Sequence, residues 1–186
     1  MTPPRNLTPA RTARLLAGAA GGALLLSVTL PAAAETAADS PATLTVTGGV
    51  LALTAPTASA NLGSRANTVG GGTISGPLGT VQVSDARSAA AGTGWVASVI
   101  STAFTPTTGP AIPATGIGYT VGAITKVGTA TYTANDPGVI VASSSVVTAT
   151  AITGDNSATW NPTINVTVPG GMAPAVYSGT ITHSVL

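Results

Sequence analysis

The last seven residues of the chain, TITHSVL, contain its one histidine, His183. Histidine can act as a general base, and a Ser-His-Asp hydrolase built from this chain would have to use His183. The sequence has no G-x-S-x-G motif, which presents the nucleophilic serine in many hydrolases. Glycosidase chemistry needs two convergent carboxylates, and the acidic residues here are few and isolated. We predict that the protein is not an enzyme, with a secreted hydrolase kept as a third alternative.

Asp136 and Asp155 are the acidic residues that stand among turn-forming neighbours. Aspartate is common in turns because its side chain bonds to nearby backbone. A calcium site gathers several oxygen ligands, and no run of acidic residues suggests one. The sequence therefore predicts no metal site and no cofactor.

Asp85, Arg87 and Trp95 follow one another closely in the middle of the chain. Residues two apart on a strand share a face, so Asp85 and Arg87 can pair with each other or orient the chain before Trp95. The Trp95 ring can pack in the core or stack on a sugar. Two alternatives also stand for Trp160, which can be an exposed loop aromatic or a core residue.

The final segment places Tyr177, Ile181, His183 and Val185 at the same strand parity. We expect these side chains to face one way and Tyr177 to bond to backbone through its hydroxyl. We expect His183 to be partly covered and neutral at pH 7, with one ring nitrogen bonded to a neighbour.

These residues belong to a sequence that is β throughout. Alternation of apolar with polar residues, frequent Thr and Val, and Gly/Pro punctuation favour strands, and no window has sustained helical periodicity. The predicted class is all-β, a single antiparallel β-sandwich or barrel-like domain. Strands are predicted at 44–46, 51–53 (a hairpin with 44–46 through Gly48-Gly49), 81–83, 95–99, 117–124, 130–133, 139–141, 146–152, 164–168 and 177–185. Turns are predicted at 70–72, 105–110, 135–138, 154–156 and 169–171.

The N-terminus has the three parts of a secretory signal peptide. Arg5, Arg11 and Arg14 precede an uncharged apolar run, Leu15 to Leu30, that is shorter than the roughly 20 residues of a spanning helix. Small residues then lead to a predicted cleavage after Ala34. The predicted organisation is a signal peptide at 1–34, a linker at 35–43 and a β domain at 44–186.

Cleavage would remove three arginines and leave three basic against five acidic side chains. Without a basic patch, neither nucleic acid nor, after signal cleavage, a membrane is an expected partner. The chain has no cysteine, so the fold must hold without disulfides. A surface so poor in charge suits uncharged polar partners such as glycans.

Three stretches occur in a recognisable order: GVLALTAP at 49–56, VQVSDAR leading to GWVASV at 81–99, and INVTVP leading to YSGTITHSV at 164–185. Together they resemble the WxL domain, a secreted surface module of Gram-positive bacteria named for two Trp-x-Leu motifs. Trp95 matches the first motif tryptophan, and Ala97 stands in place of its leucine. His183 and Val185 stand in place of the second tryptophan and leucine, so the second motif is degenerate.

The resemblance implies a non-catalytic module held non-covalently to peptidoglycan or another wall glycan, secreted and either extracellular or wall-associated. Its candidate contacts are Trp95, Tyr177 and His183, with Asp85 and Arg87 in support. The alternative is a secreted structural, self-assembling or pilus-like subunit, because the C-terminal strand is available for strand addition. Its partners would be other surface proteins or further copies of itself.

Overall fold

The computed structural model describes residues 42–88 and 93–186, and one compact unit runs from Leu44 to Leu186. Within these residues the fold is all-β and antiparallel, as predicted, with one short 3-10 turn at Ala114–Gly116 and no α-helix. The nine strands are β1 (Leu51–Thr54), β2 (Gly72–Pro77), β3 (Val81–Asp85), β4 (Trp95–Ser101), β5 (Ile117–Thr120), β6 (Ile124–Ala134), β7 (Ser144–Trp160), β8 (Thr163–Val168) and β9 (Ile181–Val185). The predicted signal peptide and all but the last two residues of the predicted linker lie outside the described residues.

The long strand β7 organises the larger of two sheets. One edge of β7 pairs with β6 along most of its 17 residues. Its other edge pairs with β4 in its first half and with β3 in its second half. β9 then pairs with β4, and β1 pairs with β3. Since β1 lies next to β9, this six-stranded sheet is nearly closed and barrel-like.

A second sheet has three strands in the order β2-β8-β5. It connects directly to the first sheet because β8 begins three residues after the end of β7. Burial alternates along β3 and β4 with the period of two that a strand with one covered face requires. The largest fully buried side chains are Trp95, Trp160, Tyr119, Ile117, Ile140, Ile152 and Ile164.

The predicted turn at 154–156 is wrong, because these residues lie inside β7. The backbone there is irregular without reversing: φ is +70° at Gly154 and +50° at Ala151, and the β6–β7 register shifts nearby. Gly128 on β6, with φ +81°, lies against the backbone of Asp155 and Asn156 with no room for a Cβ atom. Glycine signals here mark β-bulges that bend a paired strand, not a turn that ends it.

The predicted hairpin through Gly48-Gly49 is also wrong. Residues 42–48 are exposed and belong to no strand. Gly49 instead lies alongside the end of β3, where its N–H donates to the Ala86 carbonyl and the Ala86 N–H donates to the Val50 carbonyl at 3.1 Å. A Cβ at position 49 would sit 2.7 Å from the Ala86 Cβ, so glycine at this position allows the two backbones to approach closely and does not form a chain reversal.

Two further strand predictions differ from the structure. The single strand predicted at 117–124 is two strands, β5 and β6, which are separated at Gly122 with φ +74°. Residues 139–141 form no strand. Ile140 is nevertheless fully buried, and its backbone bonds to Ile117 and Ser101. The apolar pattern at 139–141 therefore reports a buried connection between two elements rather than a strand.

Candidate functional site

Trp95 opens β4 and is 1% exposed. Its Nε1–H donates to Oδ1 of Asn156 on β7 at 3.1 Å. The Tyr132 hydroxyl donates to the same oxygen at 3.1 Å, and the Trp95 and Tyr132 ring centroids lie 5.8 Å apart. Protein atoms cover the Trp95 ring, so of the two alternatives for this residue the structure shows core packing and leaves no face for a sugar.

The Asp85 carboxylate completes this group, which we call the Trp95 network (Asp85, Arg87, Trp95, Tyr132 and Asn156). Arg87 donates through Nε to Oδ1 at 2.8 Å and through Nη2 to Oδ2 at 2.9 Å. Nη2 also reaches the Gly94 carbonyl at 3.3 Å. Arg87 therefore both pairs with Asp85 and holds the chain just before Trp95, so the two roles considered from the sequence occur together.

Burial makes this ion pair more than a surface contact. The Asp85 side chain is 0% exposed, while that of Arg87 is 36% exposed. Hydrogen bonds from the Arg87 side chain hold the pKa of Asp85 below its usual value, against the opposing effect of burial. The Trp95 network is thus a satisfied, buried polar cluster that connects β3, β4, β6 and β7.

A second network joins the other tryptophan to His183. Trp160 Nε1–H donates to the Tyr119 hydroxyl oxygen at 2.8 Å. The same oxygen lies 3.1 Å from Nε2 of His183, and the Tyr119 and His183 rings meet edge to face. Trp160 is 2% exposed, so it is a core residue. We call Trp160, Tyr119 and His183 the His183 relay.

The protonation of the His183 relay follows from its donors. Indole N–H can only donate, so Tyr119 accepts from Trp160 and has its own proton to offer to Nε2 of His183. Burial lowers the pKa of His183 to about 4. Burial also raises the pKa of Tyr119. The expectation of a partly covered, neutral His183 with one ring nitrogen bonded to a neighbour is confirmed.

His183 also lines a groove with a volume of about 830 Å³. One wall of this groove is the irregular segment 55–68, and another is the segment 172–181 before and into β9. Apolar side chains from several elements contribute to its lining: Leu62, Ile74, Leu78, Phe104, Ile112, Val166, Val168, Met172 and Ile181. Polar contributions come from hydroxyl and amide side chains, from Arg65 and from Tyr177.

Tyr177 lies before β9 rather than in it. Its hydroxyl donates to the Ala173 carbonyl at 2.9 Å, the backbone bond that was expected. The predicted shared face holds within β9, where Ile181, His183 and Val185 are each half-buried. Tyr177 lines the same groove as Ile181 and His183, although it does not share a strand face with them.

Searches against family models, curated proteins and solved structures found no match for this chain. Of the candidates from the sequence, Tyr177 and His183 both line the groove, whereas Trp95, Asp85 and Arg87 belong to the separate Trp95 network.

Sequence reasoning missed several partners of these residues. The sequence pattern predicts a turn at Asn156, whereas this residue bonds to Trp95 and Asp85 from within β7. The sequence pattern indicates no role for Tyr119 or Arg65. The signal for Tyr119 was available, because a buried tyrosine needs a hydrogen-bond partner and the chain has one histidine. Arg65 had no comparable signal, since its surroundings come from a loop without periodicity.

Across 42–88 and 93–186, no three His, Cys, Asp or Glu side chains lie close enough together to hold a metal ion. In those same ranges no helix is long and apolar enough to cross a bilayer.

Proposed function

We propose that this protein is an exported, non-catalytic surface module that binds peptidoglycan or another wall glycan without a covalent link. The groove is the binding surface in this proposal. Support comes from the resemblance of three ordered motifs to the WxL domain and from the signal peptide that the sequence predicts at residues 1–34. It also comes from the presence of both Tyr177 and His183 in the lining of the groove.

The chemistry of the groove is the observation that carries the proposal. Among the described residues that line the groove, Arg65 is the one charged side chain, because His183 is neutral near pH 7. Hydroxyl and amide groups of Ser59, Asn61, Asn67 and other residues line it beside apolar surface. Saccharides present hydroxyls and apolar ring faces, and such a lining offers both kinds of contact. The volume lies within the range of about 300–1,000 Å³ that is typical of ligand sites.

Two side chains have specific parts in this proposal. Tyr177 is held by its bond to Ala173, so its ring is positioned for a sugar face at small conformational cost. Arg65 is positioned by bonds from Nη2 to the Gly71 carbonyl at 2.8 Å and to the Thr68 hydroxyl at 3.4 Å. Its remaining N–H groups can serve the carboxylates that wall peptides carry.

Co-sedimentation of the exported protein with purified peptidoglycan tests the proposal. We expect the wild-type protein to pellet with the wall and Tyr177→Ala to weaken binding about tenfold, the loss typical of one good anchor residue. Tyr177→Phe is the matched control: it keeps the ring and loses only the bond to Ala173, so it should retain more affinity than Tyr177→Ala. A folded wild-type protein that stays in the supernatant at all wall concentrations would overturn the proposal.

A further inference from the structure

The segment Thr43-Leu44-Thr45-Val46-Thr47 has the composition of a strand, and it pairs with no strand among residues 42–88 and 93–186. We call it the N-terminal arm (residues 43–47). Leu44 is 90% exposed and Val46 is 84% exposed, and both stand at the same strand parity. The arm precedes β1 in the chain, and the residues just before β1 are fixed along β3 by the Gly49 and Val50 bonds to Ala86. An alternating, β-branched segment is therefore presented to solvent with its backbone outside any ladder.

The N-terminal arm also lacks the features that keep exposed strands apart. Natural edge strands carry charges, prolines or bulges that prevent pairing with another chain. Strand β6 has such features, with Lys126 and a register shift between Val127 and Thr129. Residues 42–64 contain no charged side chain at all, and no proline interrupts 42–55.

We propose that the N-terminal arm pairs with the same arm of a second copy of the chain, antiparallel, about a two-fold axis at Thr45. The sequence TLTVT is self-complementary in this register. Leu44 of each copy lies opposite Val46 of the other on one face, and Thr43 lies opposite Thr47 on the other face. Apolar and Thr–Thr cross-strand pairs both stabilise antiparallel ladders. Two-fold pairing of one surface with itself is also the commonest symmetry of protein association.

The pairing is weak for a single pair of free molecules. Five residues from each copy bury much less than the roughly 1,000 Å² expected of a stable complex. Association becomes strong when many copies share one surface, because the effective concentration rises. This inference goes beyond the proposed function, and the weak pairing of two free copies does not require glycan binding.

Disulfide trapping tests the register directly, since the chain contains no cysteine of its own. The full chain is expressed in an exporting host, so that any processing of its N-terminus occurs. In the proposed dimer the two Thr45 residues face each other at a Cα separation that a disulfide can span. We expect Thr45→Cys to form a disulfide-linked dimer about tenfold faster than Thr107→Cys, an exposed loop position used as the control.

Second-site variants separate the arm from other apolar surface. Leu44→Ser with Val46→Ser should reduce the trapping rate of Thr45→Cys to that of the loop control. Val69→Ser with Val127→Ser removes two exposed valines elsewhere and should leave the rate unchanged. All four substituted residues are exposed, so the variants should fold, and thermal melting checks this. Equal trapping of Thr45→Cys and Thr107→Cys would overturn the proposal. So would trapping that the arm variants leave intact or the control variants abolish.

Discussion

The hydroxyl oxygen of Tyr119 on β5 lies 3.1 Å from Nε2 of His183 on β9. This contact connects the smaller sheet to the last strand of the larger sheet, and it continues to Trp160 at the end of β7. His183 is therefore both a lining residue of the groove and the end of a hydrogen-bonded chain from the core.

Removing the central hydroxyl should show what the His183 relay contributes to stability. Tyr119→Phe leaves the Trp160 N–H without its acceptor and His183 without its neighbour, so the free energy of unfolding should fall by about 1–3 kcal/mol. Denaturant titration measures this change. Tyr177→Phe is the control: its bond to Ala173 is at an exposed site and its loss should cost less. Equal losses of unfolding free energy in the two variants would show that the His183 relay stabilises the fold no more than an exposed hydrogen bond does.

His183 should also make stability depend on pH above the range where the carboxylates titrate. Its pKa is about 4 in the folded protein and 6.5 as the unperturbed value, so between these values the unfolded chain binds a proton that the folded chain does not. Stability should be full above pH 6.5 and fall as the pH drops toward 4, by on the order of 1–3 kcal/mol.

Urea unfolding in steps from about pH 7 to about pH 5 measures this dependence before Asp85 can contribute. His183→Gln removes the titrating group and should flatten the profile over that interval. A wild-type profile that is already flat would mean that His183 is solvated and titrates alike in both states.

Trp95 should affect folding and not wall binding. Trp95→Ala removes a fully buried indole and should cost roughly 3–5 kcal/mol. Trp95→Phe keeps most of the packing and loses only the bond to Asn156. Its loss of stability, measured by calorimetry, should therefore be smaller than that of Trp95→Ala. Folded Trp95→Phe should pellet with peptidoglycan as the wild type does. Loss of binding with unchanged melting would instead assign Trp95 a direct contact.

Asp85 should be the most important carboxylate for stability. Asp85→Ala leaves Arg87 and Asn156 without their acceptor, with an expected loss of about 1–3 kcal/mol. Asp155→Ala, which removes exposed bonds to Ser88, should cost less than about 1 kcal/mol. The pKa of Asp85 is lower in the folded protein than its usual value of 3.8. The contribution of Asp85 to stability is therefore fully present above pH 3.8 and is lost as the pH falls through the pKa of the folded state. An acid transition that is the same in both variants would contradict this role.

The sequence predicted local strand character far better than it predicted partners. Alternation located β3, β4 and β8 because each has one covered face and a period of two. The turn predictions at Gly48-Gly49 and at Gly154 were wrong, because glycine occurs at turns, at β-bulges and where two backbones approach closely, and the sequence does not distinguish these three cases. It could not show that Asn156 reaches Trp95, because that contact joins residues 61 positions apart in the chain.

Replacing His183 by tryptophan tests the link to the second motif of the WxL domain. His183→Trp enlarges the aromatic surface of the groove wall, and we expect it to raise peptidoglycan binding in co-sedimentation. Thr182→Trp places the same ring on the exposed face of β9 and should leave binding unchanged. If both variants bind as the wild type does, position 183 makes no wall contact.

The most direct test of glycan binding at the groove is to map where soluble peptidoglycan fragments touch the protein by two-dimensional NMR of the ¹⁵N-labelled chain. We expect shifts that saturate with ligand at Arg65, Tyr177 and His183, while the Trp95 indole N–H stays unperturbed. Saturable shifts confined to surfaces away from the groove, or no shifts at about millimolar fragment, would contradict the central claim.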